Sequence, residues 1–199
     1  MIVKVCGMRE ADNIREVEKL ADWLGLIFWP KSKRYVSTKP AYLPTQAKRV
    51  GVFVDEEAGR VMQIADDYGL DLIQLHGHES PEYLSLLKGY RIIKAFNIAI
   101  PSDFMDTTPY EGLADYFLFD TKGKQVGGNG EKFDWSVLSS YHGRTPFLLS
   151  GGIGPEDVKQ ARAIHHPKCI GIDLNSRFEI APGLKDVNLL REFVEKIKK

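Results

Sequence analysis

Eight short apolar runs recur along the chain, at residues 2–5, 23–28, 49–54, 71–75, 91–96, 116–119, 146–149 and 169–174, and this repetition constrains the fold more than any other feature. Their starts lie roughly 20 to 30 residues apart, the span of one βαβ unit. Segments between most of them carry apolar residues at helical spacing. In residues 56–67, Val61, Ile64 and Ala65 share a face. In residues 186–199, Val187, Leu190, Val194 and Ile197 form one stripe, and the lysine-rich end suits a helix C-terminus. Strands alternating with helices imply a parallel sheet. Eight such units predict an α/β protein with a closed, single-domain (β/α)8 barrel of the TIM type over residues 1–199, rather than an open doubly wound sheet.

That barrel has to be economical. The 199 residues stand at the short end of the usual range for the fold, so some helices must be short or irregular. Residues 99–112, with Pro101 and Pro109, are the first place to expect one. The long connections 29–42 and 121–133 both follow strands, and so belong to the face where barrels of this kind place their chemistry.

Charge balance narrows the partners. The 27 basic and 27 acidic residues cancel, leaving no global field for nucleic acid or an anionic membrane, and a small molecule is the expected partner. The N-terminus opens directly on a strand pattern without a signal segment, and no apolar run approaches the ~20 residues of a membrane span. The cysteines, Cys6 and Cys169, lack the paired spacing of a disulfide framework, so reduced thiols in a cytoplasm are expected. The histidines do not combine with other strand-end residues into a ligand set, which predicts no metal. A monomer or a homodimer is expected.

Reactive side chains terminate the apolar runs. Cys6 closes the first and is a candidate base, provided local positive charge or N–H groups favour its thiolate; a buried structural cysteine is the competing reading. Lys4 shares the parity of Cys6, so both face the barrel interior, but it is no evident source of that charge. Cys169 is read as structural. Asp120 closes the sixth run and opens a glycine-rich loop, where Gly127 and Gly128 belong to a segment able to close over a ligand; a carboxylate that merely caps a turn is the alternative. After the seventh run, Ser150-Gly151-Gly152 leads into a helix starting near Pro155, and after the eighth comes Asn175-Ser176. Together these turns form the phosphate-binding pattern of strands seven and eight. Arg34 can grip a carboxylate with its planar guanidinium or belong to a solvated basic cluster. His76, ending the fourth run, can donate into the barrel mouth or be structural.

The chain resembles the phosphoribosylanthranilate isomerase family over nearly its full length. The resemblance rests on Lys4-Val5-Cys6-Gly7-Met8, Lys31-Ser32-Lys33-Arg34-Tyr35-Val36, Gly51-Val52-Phe53-Val54-Asp55, Gln74-Leu75-His76-Gly77, Phe119-Asp120-Thr121, Gly127-Gly128-Asn129-Gly130, Phe133-Asp134-Trp135, and Gly171-Ile172-Asp173 with Glu179 and Pro182-Gly183-Leu184-Lys185-Asp186, in that order. It implies a cofactor-free Amadori rearrangement of an aminoaldose phosphate in tryptophan biosynthesis, with Asp120 as general acid and Cys6 as general base. It further implies Arg34 on the anthranilate carboxylate, Asp173 on the sugar hydroxyls, and Gly151, Gly152, Asn175 and Ser176 on the phosphate. Three departures stand out. Asn175-Ser176-Arg177 replaces a usual Ser-Ser-Gly, Gly-Gly-Asn-Gly-Glu replaces a common Gly-Gly-Thr-Gly-Lys, and Lys33 replaces a frequent proline. The rival readings are another phosphosugar isomerase on the same scaffold and a binding protein without turnover.

Overall fold

The structure is a computed structural model and describes residues 1–120 and 135–199. All eight expected strands form: β1 Ile2–Cys6, β2 Trp23–Ile27, β3 Lys48–Phe53, β4 Leu72–Leu75, β5 Ile92–Asn97, β6 Tyr116–Asp120, β7 Phe147–Ser150 and β8 Cys169–Leu174. They close into one parallel barrel in sequence order, with β8 pairing back onto β1. The register sets Lys4 opposite Trp23 and Asp173, and Cys6 opposite Gly25. Cys6 needs that glycine, because a Cβ at position 25 would stand 2.8 Å from its sulfur.

Helices α1 Ala11–Val17, α2 Ala58–Tyr68, α3 Pro81–Leu86, α4 Val158–Arg162 and α5 Val187–Lys198 pack outside. The expected face of α2, Val61, Ile64 and Ala65, is buried, and Glu57 caps the helix by accepting from the Gly59 and Arg60 N–H groups. In α5 the buried residues are Leu190, Phe193, Val194 and Ile197, and Val187 packs against the same core while partly exposed, so Phe193 joins the expected stripe. Near Pro155 the chain makes a short 3₁₀ turn, Pro155–Asp157, before α4. The economy predicted from chain length falls in several places, and one is the stretch before β7, where Trp135–Ser140 is a 3₁₀ helix. Pro101–Tyr110 is a 3₁₀ helix, as its prolines suggested. Between β2 and β3 there is no helix at all.

Residues 28–47 are nonetheless fastened down. Val36 N–H donates to the Ile27 carbonyl at 2.9 Å, and Phe28 stacks on Phe53 at 5.2 Å. Glu18, one residue beyond α1, accepts from the N–H groups of Thr45 and Gln46 and from the Tyr42 hydroxyl. The main core lies between strands and helices, and a second apolar cluster, including Trp23, Val50, Leu72, Ile93, Leu118 and Leu148, fills the barrel. Above that plug the interior turns polar, with Lys4, Gln74, Asp120 and Asp173. After β8 the chain adds a hairpin, β9 Glu179–Ala181 with β10 Leu184–Lys185, that the apolar pattern did not announce. The Asn13 amide of α1 holds it through two hydrogen bonds, 2.8 and 2.9 Å, to the Lys185 backbone. No helix among the described residues is long and apolar enough to cross a membrane.

Candidate active site

The C-terminal ends of β1, β4, β6 and β8 bring Cys6, His76, Asp120 and Asp173 to one mouth. Cys6 and Lys4 lie on the same interior face, as parity requires. Lys4 is completely buried and donates to Asp173 Oδ1 at 2.9 Å. Burial alone would lower the lysine pKa, but Asp173 and Cys6 together raise it, so the ammonium stays charged. The expectation that Lys4 gives Cys6 no help is therefore corrected. Burial pushes the Cys6 thiol up, whereas Lys4, by charge and hydrogen bond, and Lys185, by charge, pull it down against Asp173. A cation held in a dry interior acts on a thiol with little screening. Cys169, on β8, has its thiol pushed up to about 11 by burial and no cation among the causes, in keeping with a structural role.

Arg34 reaches the same mouth from the segment after β2. Its Nε donates to both oxygens of Glu179 at 2.8 and 3.0 Å, and Nη2 donates to Oε2 at 2.6 Å. It is therefore not a member of a solvated cluster. The Nε edge is committed to Glu179, and Nη1 has no hydrogen-bond partner among the described residues. Glu179 is itself nearly inaccessible and accepts from Lys185 Nζ at 2.6 Å and from Gly183 N–H at 3.1 Å. Burial works against its charge, yet Arg34, Lys185 and Gly183 bring its carboxyl down to about 2. Lys185 Nζ also donates to Asn175 Oδ1 at 2.8 Å, so the network runs on to the turn after β8. Gly7 lets these groups meet: a Cβ there would stand 2.5 Å from Arg34 Cδ and 2.9 Å from Asn175 Oδ1.

The opposite side of the mouth is looser. His76 Nε2 stands 3.6 Å from Asp120 Oδ2, and the two side chains are 31% and 15% exposed. Gln74 Nε2 lies 2.9 Å from His76 Nδ1. With the amide donating, the ring carries its proton on Nε2, directed at Asp120. Buried Glu79 organises the turn beneath His76 by accepting from the N–H groups of Asp55 and Gly77 and from Lys94 Nζ.

At β7, Gly151 and Gly152 adopt φ of +103° and +69°, a region that side chains rarely tolerate, and nothing lies within 4 Å of where a Gly152 Cβ would stand. The open space over Gly152 leaves room for an anion to approach the backbone there. Asn175 and Ser176 enter the 3₁₀ turn Ser176–Phe178 beside it in the barrel order. Gly127 and Gly128 lie outside the described residues. Among those described, no group of three or more His, Cys, Asp and Glu is arranged to hold a metal ion.

Lys4, Glu179 and Lys185 are the parts that residue-by-residue reading passed over. The parity of Lys4 with Cys6 was the available signal. For Glu179 and Lys185 the signal was their place in the family motifs, since periodicity does not reach a site assembled by the hairpin.

A closed eight-stranded parallel barrel with ionisable side chains gathered at the C-terminal ends of its strands defines a (β/α)8-barrel enzyme. Comparison with known proteins specifies which kind. The family model described as N-(5'phosphoribosyl)anthranilate (PRA) isomerase matches residues 3–196, and the chain belongs to this family. A Parabacteroides distasonis N-(5'-phosphoribosyl)anthranilate isomerase is 52% identical, the match covering 99% of this chain and 93% of the relative. A solved phosphoribosyl anthranilate isomerase in complex with reduced 1-(o-carboxyphenylamino)-1-deoxyribulose 5-phosphate superposes with a TM-score of 0.82 at 33% identity, covering 100% of this chain and 99% of the other. The Thermotoga maritima enzyme gives 0.84 at 34% identity over the same shares.

Proposed function

We propose that the chain rearranges N-(5'-phosphoribosyl)anthranilate to 1-(2-carboxyphenylamino)-1-deoxyribulose 5-phosphate with its own side chains as acid and base, in tryptophan biosynthesis. The observation that carries this reading is a thiol and a carboxylate at one barrel mouth, on strands β1 and β6 that are not neighbours, in a member of this isomerase family. Asp120, in its carboxylic acid form, gives a proton to the ribose ring oxygen as the C1–O bond breaks, leaving an iminium at C1. The positive nitrogen acidifies the C2–H bond, so the Cys6 thiolate removes that proton and an enolamine forms. The enolamine then takes a proton at C1 from the Cys6 thiol as its C2 hydroxyl proton passes to the Asp120 carboxylate, which gives the ketone at C2 and restores both groups. Lys4 stabilises the Cys6 thiolate, and His76 orients Asp120.

Asp173, fixed by Lys4, accepts from sugar hydroxyls. Arg34 holds the anthranilate carboxylate through the edge that Glu179 leaves open, and the turns at Gly151-Gly152 and Asn175-Ser176 hold the phosphate by backbone N–H groups. Gly127 and Gly128 serve loop closure in this reading. The reaction needs neither cofactor nor metal, the setting is a cytoplasm that keeps Cys6 reduced, and the partner is a small molecule rather than nucleic acid or a membrane. All named groups come from one chain, so a monomer and a homodimer alike carry a complete site.

The test is turnover of freshly generated substrate in a metal chelator, followed by substrate fluorescence, beside Asp120→Asn. Chelator-resistant turnover should fall about 10²- to 10⁴-fold in the variant while product-analogue affinity persists, the range for loss of a general acid. Near-normal turnover by the variant removes Asp120 from its role. No turnover by the unaltered protein, with analogue binding intact, supports a binding protein instead.

A further inference from the structure

One ion pair joins the turn after β7 to the turn after β8. Arg177 Nη2 lies 2.6 Å from Glu156 Oε1. Arg177 sits in the turn Ser176–Phe178, immediately after Asn175, and Glu156 sits in Pro155–Asp157, just beyond Gly151 and Gly152. The second oxygen of the same carboxylate folds back on its own loop, since a Cβ at Gly154 would meet Glu156 Oε2 at 2.5 Å. A carboxylate supplied by the protein thus stands beside Gly154, two residues beyond Gly152 of the turn read as the phosphate cradle.

The electrostatics of the mouth single this arginine out. Lys4, Lys185 and Arg34 are each committed to the nearly inaccessible carboxylates of Asp173 or Glu179. The Arg177 and Glu156 side chains are 53% and 44% exposed, and a pair so wet is held by little net energy. A phosphate outcompetes a carboxylate for guanidinium, because it brings more charge and matches the planar fork with two parallel hydrogen bonds. With zero formal net charge on the chain, attraction for an anion has to come from such local groups.

We propose that Arg177 is a substrate-binding residue that leaves Glu156 for the substrate phosphate, Glu156 being the anion that occupies it in the free enzyme. This rests on the reading of the two turns as the phosphate site. The guanidinium adds a side-chain grip to the backbone cradle, and Glu156 becomes a built-in competitor of phosphate.

The test measures kcat and KM for phosphoribosylanthranilate, and the competitive inhibition constant of inorganic phosphate, in the unaltered protein, Arg177→Ala, Glu156→Gln, the double variant and Gly152→Val. Arg177→Ala should raise KM and the inhibition constant about tenfold with kcat within about twofold, the worth of one charge-assisted hydrogen bond. Glu156→Gln should lower the inhibition constant, and the double variant should stay as weak as Arg177→Ala. Unchanged constants in Arg177→Ala overturn the proposal. So does recovery in the double variant, which makes Arg177 only a screen for Glu156. If phosphate does not compete with the unaltered protein, or competes undiminished in Gly152→Val, the phosphate reading of the turns falls and this inference with it. Competition lost in Gly152→Val but unchanged in Arg177→Ala removes Arg177 alone.

Discussion

The two halves of the barrel mouth are built on opposite principles. On the side of β1, β8 and the hairpin, the Lys4–Asp173 pair and the Lys185–Glu179–Arg34 group are held by contacts of 2.6 to 2.9 Å and are largely shut off from solvent. On the side of β4 and β6, His76 and Asp120 face each other at 3.6 Å and remain partly wet. In the proposed mechanism the difference follows what each group has to do. A buried thiol is a poor source of thiolate, and only fixed cations in a dry setting offset its burial. An acid that must be reprotonated in every cycle needs contact with water, so packing it as tightly would hinder it. The cost falls on the dry half, where an unpaired member leaves an uncompensated charge.

That contrast can be broken, beginning with the largest effect. Cys6→Ser should cut turnover about 10²- to 10⁴-fold, the span for loss of a general base, while folding is retained. Comparable activity in a chelator-treated assay would assign the base to another group. Lys4→Met comes next. It strands Asp173 and should destabilise the fold by about 3–5 kcal/mol in denaturant melts, and move the pH at which Cys6 is alkylated still further above the ordinary thiol value. His76→Asn, on the open half, should cost within about 1 kcal/mol of stability, as surface-type changes do, and slow turnover about tenfold. Equal stability losses in Lys4→Met and His76→Asn would erase the distinction between the halves.

A further effect is in acid. Glu179 has its folded pKa at about 2, below the roughly 4.3 of an unfolded glutamate, so its contribution is complete above about pH 4 and is lost as pH falls through about 2. The stability gap between the unaltered protein and Glu179→Gln should therefore close between about pH 4 and pH 2 in thermal melts. Because Glu179 also steers Arg34, the same variant should raise KM more than it lowers kcat. A gap that ignores pH over that window would show that Glu179 is not held ionised by Arg34 and Lys185.

Much of the frame was legible in the chain. Apolar runs long enough to cross a sheet, spaced for one crossover each, leave few alternatives to a closed parallel barrel, and their ends marked Cys6, His76, Asp120 and Asp173. Pro101 and Pro109 announced an irregular helix because proline removes an N–H donor. The omission of a helix after β2 was not announced. It depends on Glu18 of the preceding unit gripping the end of the segment, a contact between residues 24 to 28 positions apart. Nor did residue type predict that Glu179 would occupy one edge of Arg34, since charged residues separated by 145 positions carry no mutual signal in one sequence.

The sequence by itself determined the strand count, the parallel closure and the reactive groups at the strand ends, because hydrophobic period and chain direction are local properties that the barrel only repeats. The tertiary structure alone decided which charges meet. The closure of β8 on β1 sets Asp173 against Lys4, and a hairpin pinned by Asn13 sets Glu179 and Lys185 under Arg34. The strength of such pairs depends on distance and on exclusion of water, and both are fixed only when the barrel has closed.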